Sequence, residues 1–144
     1  MSVVKGSYVL LLRLSAACSI NVGALGELEF EAGWYAYVGS AGNGLSQRVG
    51  RHLSVPSKRR WHVDSLNASC CERSALVWKH GGPSECELGT LLAYIGAEPC
   101  HRGFGSSDCR CRTHLFALDD DSLNALLTVP NDGVIRCDDA SFHL

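Results

Sequence analysis

The stretch Gly39-Ser40-Ala41-Gly42-Asn43-Gly44 constrains this chain more than any other, because two kinds of patterning meet across it. Before it, Trp34 to Val38 has the aromatic and β-branched density of a strand. After it, Leu45 to Leu53 reads as a helix. Leu45 and Val49 share one face, and Arg48, Arg51 and His52 share another by i, i+3, i+4 spacing. The glycine-dense segment between them reads as a loop. Any fold for this sequence must therefore join a sheet directly to a helix.

The rest of the chain continues the mixture. Gly6 to Leu14 reads as a first strand with alternating polar and apolar positions. Gly23-Ala24-Leu25-Gly26 is a turn. Glu27 to Phe30 and Trp34 to Val38 read as strands joined through Glu31-Ala32-Gly33, in the manner of a hairpin. Trp61 to Leu66 suggests a short helical turn, Ser74 to Trp78 a strand and Gly81-Gly82-Pro83 a turn. Ser84 to Ile95 reads as a helix, with Ser84 and Glu87 spaced as a capping box. Gly103 to Ser107 is a small-residue loop, Thr113 to Leu118 a strand and Ser122 to Leu127 a short helix. The expected fold class is α/β in the α+β sense, a small central antiparallel or mixed sheet flanked by helices. At 144 residues, with no repeat and no linker, the chain reads as one domain over 1–144, with 119–144 a short acidic C-terminal extension.

Composition excludes several classes. Apolar residues make up 46% of the chain, enough for a packed core. The apolar run from Tyr8 to Leu12 is too short to span a membrane and Arg13 interrupts it, so a strand is the better reading than a signal peptide. No other segment is transmembrane in character, and a soluble, cytoplasmic protein is expected. Eight cysteines invite a disulfide framework, but Cys70 and Cys71 are adjacent and ill-suited to pair with each other, and reduced thiols are expected. The net charge of −2 excludes a globally basic binder of nucleic acid. The charges are nonetheless segregated: Arg48, Arg51, Lys58, Arg59 and Arg60, with His52 and His62, fall in one stretch, whereas Asp119, Asp120, Asp121, Asp132, Asp138 and Asp139 crowd the tail. That pattern suits one face that meets an anion, or a solvated surface of mixed charge. No P-loop is present, since the Gly39 loop lacks the Lys-Ser/Thr that would follow it.

One ordered set of motifs rises above this background. Gly6-Ser7-Tyr8 opens the first strand, Tyr37-Val38-Gly39 ends a later one, Arg48 lies on the helix that follows, and Glu85 starts a later helix. This order resembles the GIY-YIG nucleases. The segments GWYAYVGSA (33–41), RVGRHL (48–53), WHVD (61–64), ECELG (85–89) and FGSSDCRCRTHLF (104–116) resemble in particular the small stand-alone Uri-type branch, over roughly Gly6 to Leu118. The resemblance implies a small antiparallel sheet with the two tyrosine motifs on neighbouring strands. It implies Tyr8, Tyr37, Arg48 and Glu85 as the catalytic set, with a tyrosine serving as or helping to form the general base. It also implies that Glu85 binds one Mg²⁺ or Mn²⁺. Ser7 stands where the first motif has a branched apolar residue, and Val38 is a mild change in the second.

The residue types fit the chemistry. Phosphodiester cleavage needs a deprotonated nucleophile, neutralisation of growing charge and a stabilised leaving oxygen. A tyrosine near its ordinary pKa of ~10 is a poor base unless cationic charge lies beside it. An arginine fork suits a phosphate, and a lone carboxylate suits Mg²⁺, which keeps most of its waters. Ser40, Arg51, His52, Lys58, Arg59, Arg60 and His62 are candidates to contact nucleic acid, with DNA the expected polymer. Arg51 has a structural alternative. Glu87 competes with Glu85 for the metal, although the capping box gives it a structural role. His62 and Asp64 could form a site pair or a structural hydrogen bond, and Trp61 reads as core. Cys109, Cys111 and His114, with Cys86 or with Cys100 and His101, could hold zinc, but the C-x-C spacing is not a usual zinc spacing. Alternatively Asp64, Ser107, Asp108 and His114 form a polar network beside the site.

The expected function is therefore a metal-dependent endonuclease, with a protein partner a candidate source of target recognition. The competing readings are a non-catalytic nucleic-acid-binding module of the same fold and a zinc-stabilised interaction domain. More remote is a cysteine-nucleophile hydrolase, for which only the sequence proximity of Cys111 to His114 speaks.

Overall fold

The computed structural model describes residues 4–55, 58–106 and 111–136. Its central strand is the first one, β1 (Gly6–Leu14). On one side β1 pairs with β4 (Gly33–Ala41), which pairs in turn with β7 (Leu115–Leu118) and through it with β6 (Glu98–Pro99). On the other side β1 pairs with β5 (Glu72–Lys79), which carries β8 (Gly133–Arg136) at the edge. Every pairing in this six-stranded sheet is antiparallel, and the order is β6-β7-β4-β1-β5-β8. β2 (Cys18–Asn21) and β3 (Glu27–Phe30) form a separate two-stranded sheet.

Helices cover both faces. α1 (Leu45–Leu53) and α2 (His62–Ser69) pack with Tyr8, Leu10, Leu12, Tyr37 and Phe104 in one core. α3 (Glu85–Tyr94) and α4 (Asp120–Leu127) pack with Val9, Leu11, Val38, Trp78 and Phe116 in the other. This explains the character of β1. Ser7 to Leu12 are all buried, so the strand is a continuous apolar run instead of the expected alternation, as a sheet covered on both faces requires. The fold class is the expected mixed α+β arrangement.

Four local expectations change. The glycine-dense segment is not loop throughout: Gly39, Ser40 and Ala41 pair with Tyr8, Ser7 and Gly6, so β4 runs on and the turn is confined to 42–44. Glu27 to Phe30 does not form a hairpin with the next strand. It pairs backward with β2 around a 3₁₀ turn at Gly23–Leu25. On α1, His52 joins Leu45 and Val49 on the buried face, because positions 45, 49 and 52 follow the i, i+4, i+7 stripe of an amphipathic helix. Residues 119–136, expected as an extension, contribute α4 and the edge strand β8.

Candidate active site

The site begins with strand register. Tyr8 lies opposite Gly39, and Tyr37 lies opposite Leu10, so the two tyrosines are diagonal neighbours on adjacent strands. Both face the α1 side of the sheet. Gly39 is needed at its place: a Cβ there would fall on the Tyr8 phenol ring and hydroxyl. Gly105, at φ +70°, does the same for the other tyrosine, since a Cβ there would lie 2.7 Å from Tyr37 Cε1.

The helix after the turn brings Arg48 over this pair. Its Nη1 donates to the Ser40 carbonyl (3.1 Å), and its guanidinium lies 4.4 Å from the centre of the Trp61 ring. Glu85 arrives from the opposite side at the start of α3. That start is fixed by the expected capping box: Ser84 Oγ accepts from the Glu87 N–H and Glu87 Oε1 from the Ser84 N–H, both at 3.1 Å. Glu87 is thereby committed to the cap and Glu85 is left to face outward from the first turn. Ser7, the residue that departs from the first motif, donates to the Pro83 carbonyl (2.5 Å) and ties β1 to the approach of this helix.

A cleft of about 230 Å³ opens where these elements meet. It is lined by Tyr8, Tyr37, Gly39, Ser40, Arg48, Arg60, Trp61, His62, Glu85, Gly105 and His114. The four residues of the motif set, from four separate elements, thus share one concavity. Glu85 is the one carboxylate among the described lining residues, with its side chain 30% exposed. His114 Nδ1 lies 3.9 Å from Glu85 Oε2.

Not every candidate reaches the cleft. His52 is fully buried behind it and cannot contact nucleic acid. Its Nε2 instead lies 2.8 Å from the Tyr8 hydroxyl, and its Nδ1 faces Asp64 Oδ1 at 4.0 Å. Arg51 takes its structural alternative. It holds Asp64 with two hydrogen bonds, Nη1 to Oδ1 at 3.0 Å and Nη2 to Oδ2 at 2.9 Å, donates to the Lys58 carbonyl and packs on Trp61. Asp64 also accepts the N–H groups of Arg60 and Trp61 at the start of α2. It is therefore the anchor of this helix and not the partner of His62, whose Nδ1 accepts the Gly105 N–H (3.0 Å). Trp61 is half-buried at the rim of the cleft, not in the core. Lys58 and Arg59 are exposed outside the lining. Ser107, Asp108 and Cys109 lie outside the described residues. Cys86, Cys111 and His114 come together beside the cleft, whereas His101 turns away to the Glu29 carbonyl and the Phe30 ring.

The electrostatics follow from burial. Burial pushes the Tyr8 phenol up to about 12, and the charge and hydrogen bonding of Arg48 pull the other way. Burial raises Tyr37 strongly as well. Burial lowers His52 to about 4 against the opposing charge of Asp64, so the ring is neutral near pH 7 and its contact with Asp64 is not an ion pair. For Asp64 burial works against ionisation, but the Arg51 guanidinium and the Trp61 and Arg60 N–H groups outweigh it and hold the carboxyl below its ordinary range.

Sequence reasoning placed His52 on the wrong face and so missed its contact with Tyr8. The i, i+7 relation to Leu45 carried the signal. A family described as a domain of unknown function, DUF123, matches residues 7–132, a span that holds the whole cleft lining. The chain matches no curated protein and no solved structure.

Proposed function

The chain belongs to the DUF123 family, and from its cleft we propose that it is a divalent-metal-dependent endonuclease working in the manner of the GIY-YIG nucleases. The observation that carries this reading is the meeting of Tyr8, Tyr37, Arg48 and Glu85 in one partly open cleft. These four make up the motif set that resembles that family, and they come from β1, β4, α1 and α3. Core packing alone does not call for an arginine and a glutamate beside two buried phenols.

The donor set fits the metal. One partly exposed carboxylate with space beside it is what Mg²⁺ or Mn²⁺ takes while retaining its waters. When bound at Glu85, such an ion supplies positive charge and acidic water at the leaving oxygen. The chain's own groups do the rest. Arg48, braced by the Ser40 carbonyl and Trp61, has guanidinium donors left over for a phosphate. Arg60 at the rim, with Lys58 and Arg59 beyond, extends the positive track for the flanking strand, and His62 adds a polar ring edge to the rim.

Tyr8 is the base in this account. A neutral His52 with its proton on Nδ1, toward Asp64, accepts the Tyr8 hydroxyl proton at Nε2. The phenol oxygen then faces the cleft as an acceptor. As an attacking water gives its proton to Tyr8, Tyr8 passes its own to His52, and the imidazolium so formed faces the Asp64 carboxylate. The high resting pKa of Tyr8 keeps the phenol un-ionised at rest, and the Arg48 guanidinium beside it favours the transfer.

The test is nicking of supercoiled plasmid and of single-stranded DNA with added Mg²⁺ or Mn²⁺. Arg48→Ala and Glu85→Ala are each expected to lose about 10²-fold or more in rate, the scale of removing one transition-state contact. The burial of both phenols favours the binding module instead. A parent protein that binds DNA but cleaves neither substrate with either metal would establish that alternative and end the nuclease reading.

A further inference from the structure

The C-x-C-x-x-H segment before β7 is not used by the mechanism above, yet two of its residues converge with one from α3. Cys86 Sγ and Cys111 Sγ are 3.1 Å apart, and a ring nitrogen of His114 lies with both sulfurs inside a 4.8 Å group. We propose that Cys86, Cys111 and His114 form a zinc site, and that this site clamps the start of α3 to the strand wall of the cleft.

The chemistry of the donors selects the ion. Two thiolates and an imidazole are the soft and borderline ligands of Zn²⁺, and they are poor ligands for Mg²⁺ or Mn²⁺. A tetrahedral zinc with bonds of about 2.3 Å to sulfur spaces two thiolates by roughly 3.8 Å, so the pair needs only a small outward shift. A disulfide would instead need the sulfurs to close by about 1 Å, and it would give His114 no role. Three protein donors leave one position of a tetrahedral ion for a further ligand.

The scaffold under these donors is already set. Cys86 lies in the capped first turn of α3, where its carbonyl accepts from Thr90 Oγ1 (3.2 Å). His114 is pinned by its own backbone: its N–H donates to Phe104 and its carbonyl accepts the Val38 N–H. Cys86 is the chain neighbour of Glu85, and His114 itself lines the cleft. Zinc here would therefore fix the approach of Glu85 to the two tyrosines from outside the reaction. The proposal stands on the cysteine–histidine geometry and does not depend on the nuclease reading.

The test uses the full chain, reduced and purified without chelator. Elemental analysis is expected to find about one zinc per chain. Replacement by Co²⁺ is expected to give visible bands of a tetrahedral ion together with thiolate charge-transfer absorption in the near ultraviolet. Cys86→Ser and Cys111→Ser should each halve the charge-transfer intensity and weaken Co²⁺ binding by more than about tenfold, whereas Cys71→Ser, at an exposed thiol outside the cluster, should leave the spectrum unchanged. Absence of any cobalt spectrum in the parent protein would overturn the proposal even if a variant failed to fold. So would a spectrum that both serine variants retain, or a Cys86–Cys111 disulfide in protein held with metal.

Discussion

His52 is fully buried, and its Nδ1 has no hydrogen-bond partner among the described residues. An orphaned polar atom in a packed interior is costly, and it persists where a site needs it. Its titration has a measurable consequence. Its pKa falls from 6.5 to about 4 on folding, so between those values the unfolded chain takes up a proton that the native chain refuses. Stability contributed by neutral His52 is complete above pH 6.5 and is lost as the pH falls toward 4, by about 3 kcal/mol in all. Urea unfolding across that window should show the loss, and His52→Asn should flatten it. Tyr8 leaves a kinetic signature as well. Because it is un-ionised at rest and hands its proton to neutral His52, kcat/KM for cleavage should rise as His52 loses its proton near pH 4 and show no phenol-dependent slope through the neutral range, and Tyr8→Phe should remove about 10²-fold or more of the rate. At this scale the sequence yielded residue types but not orientations. The tyrosines, Arg48 and Glu85 were legible because their order along the chain is a pattern. The His52–Tyr8 contact was not, because it depends on which way one helix rolls onto the sheet.

The elements set the spacing of the cleft. Gly39 is conspicuous in the sequence as part of a glycine cluster, yet its reason lies in the β1–β4 register, which sets it opposite the Tyr8 phenol. Gly39→Ala should therefore displace that ring. The expected outcome is a destabilisation of about 1–3 kcal/mol by urea titration, with cleavage falling further than the unfolded fraction accounts for. The start of α3 was the most legible element, since Ser84 and Glu87 announce their cap directly and the structure has both hydrogen bonds. The β2–β3 pairing was hidden because a turn at Gly23 and one at Gly33 look alike to local patterning. Only the packing of Ile20, Phe30 and their neighbours chooses between them. Arg51 was left between two roles for a similar reason: its position beside Arg48 says cationic surface, while Asp64, farther along the chain, makes it an anchor for α2.

Across the whole molecule, charge is sorted by face. α1 with Arg48 and Arg51 covers one side of the sheet, and α4 with Asp120 and Asp121 covers the other. This sorting was visible in the sequence as a basic middle and an acidic tail, although which side each would take was not. Binding to duplex DNA should follow it. If Arg48, Lys58, Arg59 and Arg60 each neutralise one phosphate, log K against log salt should have a slope of about −3.6. Replacing Lys58, Arg59 and Arg60 with alanine together should reduce the steepness by about 3. No helix among the described residues is long and apolar enough to cross a membrane. What joins the scales is the claim that the cleft breaks phosphodiesters with a divalent ion at Glu85. The most direct measurement is single-turnover cleavage of end-labelled DNA across a Mg²⁺ and Mn²⁺ titration, parent protein against Glu85→Gln. Cleavage that saturates with metal in the parent and falls by about 10²-fold or more in the variant is the expected result. Equal rates in the two proteins, or cleavage that persists in excess chelator, would contradict the account.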